Sequence, residues 1–224
     1  MSEVNLVGIT LPNEEYTGCK TAQELIGWCA RVSNPANQQN HNTAPKLIQS
    51  LLRDKHWSPL EMVNVSMEIK TTRDIARQIL RHRSFTFQEF SQRYADPTKD
   101  LGFVTREARL QDKKNRQASV EVDNELLQKN WDIRQERVIS EALYAYEWAI
   151  ENGIAKEQAR AVLPEGLTES VMIVSGPLRS WVHYCDLRMK WDTQKEHRIV
   201  AEQCWNVIER EFPDIKIALD NLNG

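Results

Sequence analysis

The chain has 224 residues, 41% hydrophobic and 27% charged, with a formal net charge of −3. That is enough for one sizeable core or two small ones, and the composition is ordinary for a globular protein rather than a disordered one. The near-neutral balance argues against a chain coated in nucleic acid, no apolar run reaches the ~20 residues of a membrane span, and the N-terminus MSEVNLVGIT lacks the basic start and apolar core of a secretory signal. The four cysteines, Cys19, Cys29, Cys185 and Cys204, form no CxxC pair. Their scatter predicts reduced thiols and a cytoplasmic location.

TAQELIGWCARVS opens with a capping-box pattern, Thr21 with Glu24, and reads as a helix. NTAPKLIQSLLRD predicts a second helix, capped by Thr43 with Pro45 in its first turn. In EMVNVSMEIK, Val63, Val65, Met67 and Ile69 alternate with polar residues, which predicts a strand. TTRDIARQILRHR reads as a helix capped by Thr72, delivering Gln78 and Arg81 together at its C-terminal end. FTFQEF should be extended or irregular, and residues 94–120 a long exposed segment. Helical spacing returns from about Glu121 to Asn152 (Val138, Ala142, Tyr146, Ala149). KEQARAVLP predicts a short helix stopped by Pro164. LTESVMIVS is strand-prone until Gly176-Pro177 breaks it. LRSWVHYCDLRMKW and QKEHRIVAEQCWNVIEREF are helical, and the second ends the fold. The elements sum to a mixed α+β chain, one domain over 1–224.

Positive charge is concentrated locally. From Lys70 to Arg93 there are six Lys/Arg against two acids, Asp74 and Glu89. A small basic pocket on a neutral body suits a small anion better than a polymer. Arginine offers a rigid fork of donors to oxyanions, and Ser91 adds a hydroxyl. A solvated helix end with ordinary salt bridges is the alternative. In HWSPLEM, Ser58 and Glu61 read as a local capping box, while His56 could equally stack on a ligand ring. Arg160, Arg179 and Arg188 follow apolar runs, and Arg179 and His183 share a helical face. Embedded guanidiniums need carboxylates or a bound anion.

Other chemistries find no pattern. The five histidines show no metal spacing, no GxSxG surrounds Ser91, and no GxGxxG or P-loop is present. Asp186 beside Cys185 would raise that thiol's pKa, which favours a core role.

QILRHRSFTFQEFSQRY, with seven residues between Arg81-His82-Arg83 and Ser91, resembles the signature of flavin-dependent thymidylate synthases. CARVSNP, HWSPLEM, ARAVLP and LRSWVHYCDLR resemble further segments of that family, in the same order, over roughly residues 25–210. The resemblance implies a helix-rich α+β fold around a central, mostly antiparallel sheet. It implies reductive methylation of dUMP to dTMP, with methylenetetrahydrofolate as one-carbon donor and NADPH as reductant through FAD. It implies a homotetramer with sites between subunits, and neither nucleic acid nor membrane as partner. By the same resemblance Gln78, Arg81, Glu89, Phe90, Ser91, Gln92, Arg93, Arg160 and Arg188 would hold dUMP. Ser58, Arg81, His82, Arg83, Glu89, Arg179 and His183 would hold FAD. His56 would lie near flavin and folate, and Arg188 would stabilise charge on the uracil ring as the catalytic residue. Met62, Gln88, the LTES turn and Gly176-Pro177 depart from the usual pattern. A relative that modifies another way, such as by hydroxymethylation of dUMP, and a non-enzymatic nucleic-acid-binding module remain the alternatives.

Overall fold

The computed structural model describes residues 2–223. In chain order the elements are β1 (Glu3–Ile9), α1 (Glu14–Thr17), α2 (Ala22–Ala30), α3 (Ala44–Arg53), β2 (Asn64–Thr72), α4 (Arg73–Ile79), β3 (Thr86–Glu89) and α5 (Pro97–Asp100). There follow β4 (Arg109–Gln111), β5 (Ser119–Glu121), α6 (Glu125–Glu151), α7 (Lys156–Ala159), β6 (Glu169–Pro177), α8 (Leu178–Arg188), α9 (Lys195–Glu211) and α10 (Pro213–Asn223).

The main sheet is antiparallel throughout, in the order β1-β2-β6-β3. Alternation explains its burial. Val65, Met67 and Ile69 of β2 and Met172 and Val174 of β6 are fully or almost fully buried, while the residues between them are half-exposed. The buried face is covered by α4, α8 and α9, and α2, α3 and α10 complete the core. Each such aliphatic side chain removed from water contributes roughly 1.5–3 kcal/mol.

Several expectations meet corrections. β1 was not anticipated, and neither was α10, whose start at Pro213 uses proline where a helix tolerates it. β6 does not break at Gly176-Pro177 but pairs through Pro177 with Asn64. The Leu178 N–H donates to the Val63 carbonyl at 2.8 Å, so Pro177 faces away from β2, on the side where β3 pairs only as far as Ser175. No ladder bond is lost there. The Thr21–Glu24 capping box forms in both directions. Thr43 and Thr72 cap nothing through their side chains: Thr43 accepts from Arg31, and Thr72 donates to Asp74. Residues 94–120 are less free than expected. Arg106 bonds Thr72 and Asp74, Gln135 on α6 bonds the Arg106 backbone twice, and Arg109 on the β4–β5 hairpin pairs with Glu196.

Two helices stop alike. After α6, Gly153 at φ 76° lets the Gly153 N–H reach Ile150 and the Ile154 N–H reach Ala149, a Schellman motif. After α3 the same bonds run from Lys55 to Leu52 and from His56 to Leu51, but a lysine occupies the left-handed position, at φ 57°.

Candidate functional site

α4 ends at Ile79, one residue short of Arg81-His82-Arg83. A turn then takes over, with His82 N–H donating to Ile79 at 3.0 Å and Phe85 N–H to His82 at 3.2 Å. Phe85 anchors it: its ring packs 4.5 Å from Trp181 and lies over Gly176, where a Cβ would come within 2.5 Å. The turn points His82 inward and leaves Arg81 and Arg83 exposed. Neither guanidinium has a hydrogen bond or ion pair among the described residues. The joint delivery of Gln78 and Arg81 is therefore corrected: Gln78 turns into the chain, Arg81 out of it.

Behind the turn lies a polar cluster. Arg188, at the end of α8, donates from Nε to His82 Nε2 at 3.0 Å. Gln78 Nε2 donates to Gln194 at 2.8 Å, and Gln78 Oε1 meets His197 Nδ1 at 3.1 Å. His197 Nε2 lies 3.1 Å from the Tyr184 hydroxyl. Burial, helped by the Arg188 charge, lowers the pKa of His82 and takes His197 down to about 3. Both rings are neutral at pH 7. Arg188 is thus a half-buried cation whose hydrogen-bond partner is an uncharged imidazole, with no carboxylate in an ion pair among the described residues.

A second group sits at the other end of α8. Arg179 pairs with Glu61, so the expected Ser58–Glu61 box does not form; Ser58 heads a 3-10 turn, Ser58–Met62, without a side-chain cap. The arginine's charge draws Glu61 away from the local hydroxyl. His183 stands edge-on to Trp57, centroids 4.5 Å apart, and burial and then Arg179 lower its pKa. Trp57, His183 and Asp186 line a cavity of about 750 Å³ together with Leu52, Met189 and Trp205. His56 and Ser58 are exposed beside Trp57. Cys185 is a buried thiol whose pKa burial raises, Asp186 adding a smaller push.

A third group follows β3. Glu89 accepts from Arg73 at 3.4 Å and from Ser170 at 2.9 Å. Phe90, half-buried, is fixed by its N–H to Val171 at 2.8 Å. Ser91 accepts from the Arg93 N–H at 3.4 Å. Arg93 and Arg160 converge on Glu157, Arg93 on its carboxylate at 3.5 Å and Arg160 on its carbonyl at 3.2 Å. Gln92 is buried, and its Nε2 has no hydrogen-bond partner. No hydrogen bond or ion pair among the described residues joins this group to Arg188.

The structure thus brings Gln78, His82 and Arg188 together, and separately Ser91, Arg93 and Arg160. Tyr184, Gln194, Glu196 and His197 escaped sequence reasoning, as did Glu61 as the partner of Arg179. The nearest signal was Gln194, Glu196 and His197 at the start of α9, which reads only as helix periodicity. No group of three or more His, Cys, Asp or Glu that could hold a metal occurs among the described residues. No described helix is long and apolar enough to cross a membrane.

The site is a set of exposed and half-buried guanidiniums around neutral histidines, on an antiparallel α+β scaffold. Residues 15–214 match the family described as thymidylate synthase complementing protein. The chain is 46% identical over 215 residues to a probable flavin-dependent thymidylate synthase of Paramecium bursaria Chlorella virus 1, covering 96% of this chain and 97% of that one. It is 43% identical over 219 residues to the flavin-dependent thymidylate synthase of Synechocystis sp., covering 97% and 99%. A crystal structure of a UMP/dUMP methylase, PolB from Streptomyces cacaoi, shares the fold with a TM-score of 0.82 at 24% identity, covering 99% of this chain and 94% of that one. The chain belongs to the flavin-dependent thymidylate synthase family, and it is an enzyme of that family.

Proposed function

We propose that this enzyme methylates dUMP to dTMP, with methylenetetrahydrofolate as carbon donor and NADPH as reductant through bound FAD. The carrying observation is Arg188, a half-buried cation supported by a neutral ring rather than neutralised by a carboxylate. Such a group retains its full charge for an anion. A pyrimidine ring activated for attack at carbon carries negative charge on its oxygens, and a pre-placed guanidinium stabilises it without reorganising.

The residues present fit a flavin dinucleotide. Its diphosphate needs cations not already spent, and Arg81 and Arg83 are exposed and without ion pairs among the described residues. Ser58, His82, Glu89, Arg179 and His183 would complete that binding set, and His56 would lie beside flavin and folate. When bound, the flavin supplies the hydride for the one-carbon unit. The protein's own part is positioning. Ser91, Arg93 and Arg160 grip the nucleotide phosphate, Glu157 keeping two of them close in the free chain. Arg81, Glu89 and Phe90 belong to the same dUMP set. Gln92 brings a buried amide nitrogen with no partner, ready to donate. Gln78 and Arg188 face the base. The same proposal includes sites assembled between copies, in a homotetramer.

The test is a product assay with dUMP, methylenetetrahydrofolate and NADPH, read by mass. A methylated nucleotide from a yellow protein is expected. A hydroxymethylated product, or none, would overturn the reading.

A further inference from the structure

The amides and rings behind Arg188 form one directed chain. Glu196 is the only member that can solely accept. Burial pushes its pKa up, but the Arg109 and Gln194 bonds outweigh that, and it stays a carboxylate. Its Oε2 accepts from Gln194 Nε2 at 3.0 Å, while the other oxygen takes Arg109. Gln194 therefore turns its oxygen to Gln78, whose Nε2 donates at 2.8 Å. Gln78 in turn must offer its oxygen to His197 Nδ1. An amide oxygen cannot donate, so Nδ1 carries the ring proton. His197 Nε2 is then the acceptor for the Tyr184 hydroxyl. Every donor in the line is assigned once the carboxylate is placed, and each orientation follows from the one before it.

We propose that Glu196 is a positioning residue for the nucleotide site: through Gln194 it fixes the Gln78 amide and the Nδ1–H tautomer of His197. One N–H of Gln78 stays uncommitted, always at the nitrogen end, and Gln78 meets the base as a donor of fixed direction. This rests on the reading that Gln78 faces the nucleotide. Arg109 belongs to the β4–β5 hairpin, so that hairpin holds the carboxylate from the far side.

Glu196→Gln keeps the shape but lets residue 196 donate as well as accept, so the chain can run in either direction. Gln194→Leu cuts the chain and leaves the Arg109–Glu196 pair intact. The experiment records ¹⁵N resonances of the imidazoles in the ligand-free protein, and dUMP affinity by calorimetry, for wild type and both variants. Expected are a single Nδ1–H tautomer for His197 in wild type, a mixture in the variants, and dUMP binding weaker by about 5- to 10-fold, the loss of one oriented hydrogen bond. A His197 tautomer unchanged in both variants would overturn the proposal. So would mixed tautomers with unchanged dUMP affinity. A wild-type protein that holds the Nδ1–H tautomer yet binds no dUMP would instead overturn the nucleotide reading, and with it the role of Glu196 there, while the directed chain itself stood.

Discussion

Acidifying the protein from neutrality to near pH 5 protonates His197 in the unfolded chain but not in the folded one. The ring is fully buried, and burial, reinforced first by the charge of Arg188, takes its pKa from 6.5 down to about 3. A depressed histidine stabilises the fold above the unfolded pKa, and that stability is lost as pH falls toward the folded one. The window therefore runs from about 6.5 downward. Near pH 5 the unfolded chain sits about 1.5 pH units below its own pKa, so the loss is about 2 kcal/mol at about 1.4 kcal/mol per unit. With a urea dependence of about 2–3 kcal/mol per molar, the unfolding midpoint should drop by close to ~1 M. The assay is urea unfolding at both pH values and one protein concentration, for wild type and His197→Gln. His82 and His183 are depressed too, and their contributions cancel in the comparison. The variant should be less stable at pH 7 but should lose most of that pH dependence. Parallel falls in the two proteins would refute the assignment of a buried, neutral His197.

Three further outcomes are expected. Lys55→Gly should raise stability by about 0.5–1 kcal/mol, because it relieves a left-handed lysine at a position that glycine fills after α6; a lower urea midpoint would contradict the Schellman geometry. Gly176→Ala should cost about 1–3 kcal/mol, since its Cβ would press on the Phe85 ring at 2.5 Å and approach the Ser84 carbonyl at 3.2 Å. An unchanged thermal midpoint would show that the ring moves freely. Arg188→Ala should keep the flavin absorbance and lower kcat by roughly 100-fold or more. Flavin lost from a folded variant would place Arg188 in cofactor binding instead.

The sequence showed elements whose pattern is strong on one face. β2 alternates cleanly because one side is fully buried, and the Thr21 box was readable because its partners lie three residues apart. β1 also alternates, Val4 and Leu6 against Glu3 and Asn5, but as an edge strand it has no fully buried residue to sharpen the signal. The helix ending at Glu211 reads as the end of the fold, yet a further helix starts at Pro213. Site residue types were legible and their partners were not. Glu61 was matched with Ser58 across one turn, yet its partner is Arg179, over a hundred residues away, brought near by the packing of α8 against the Ser58–Met62 turn. Gln78 gave no local hint of Gln194 or His197, since only the contact of α4 with α9 makes them neighbours. The order of motifs carried the family, because several short matches in sequence hold more information than any one of them.

β2 and β6 stand side by side at the middle of the sheet, yet roughly a hundred residues separate them in the chain. A ribosome adding about 5–20 residues per second needs on the order of 5–20 s to span that gap. For that interval the nascent chain carries Val65, Met67 and Ile69 with β1 at one edge and nothing at the other. An open apolar edge invites pairing with a neighbouring nascent copy. A chain truncated before Glu169, which lacks the strand that pairs with β2, is therefore expected to give insoluble product.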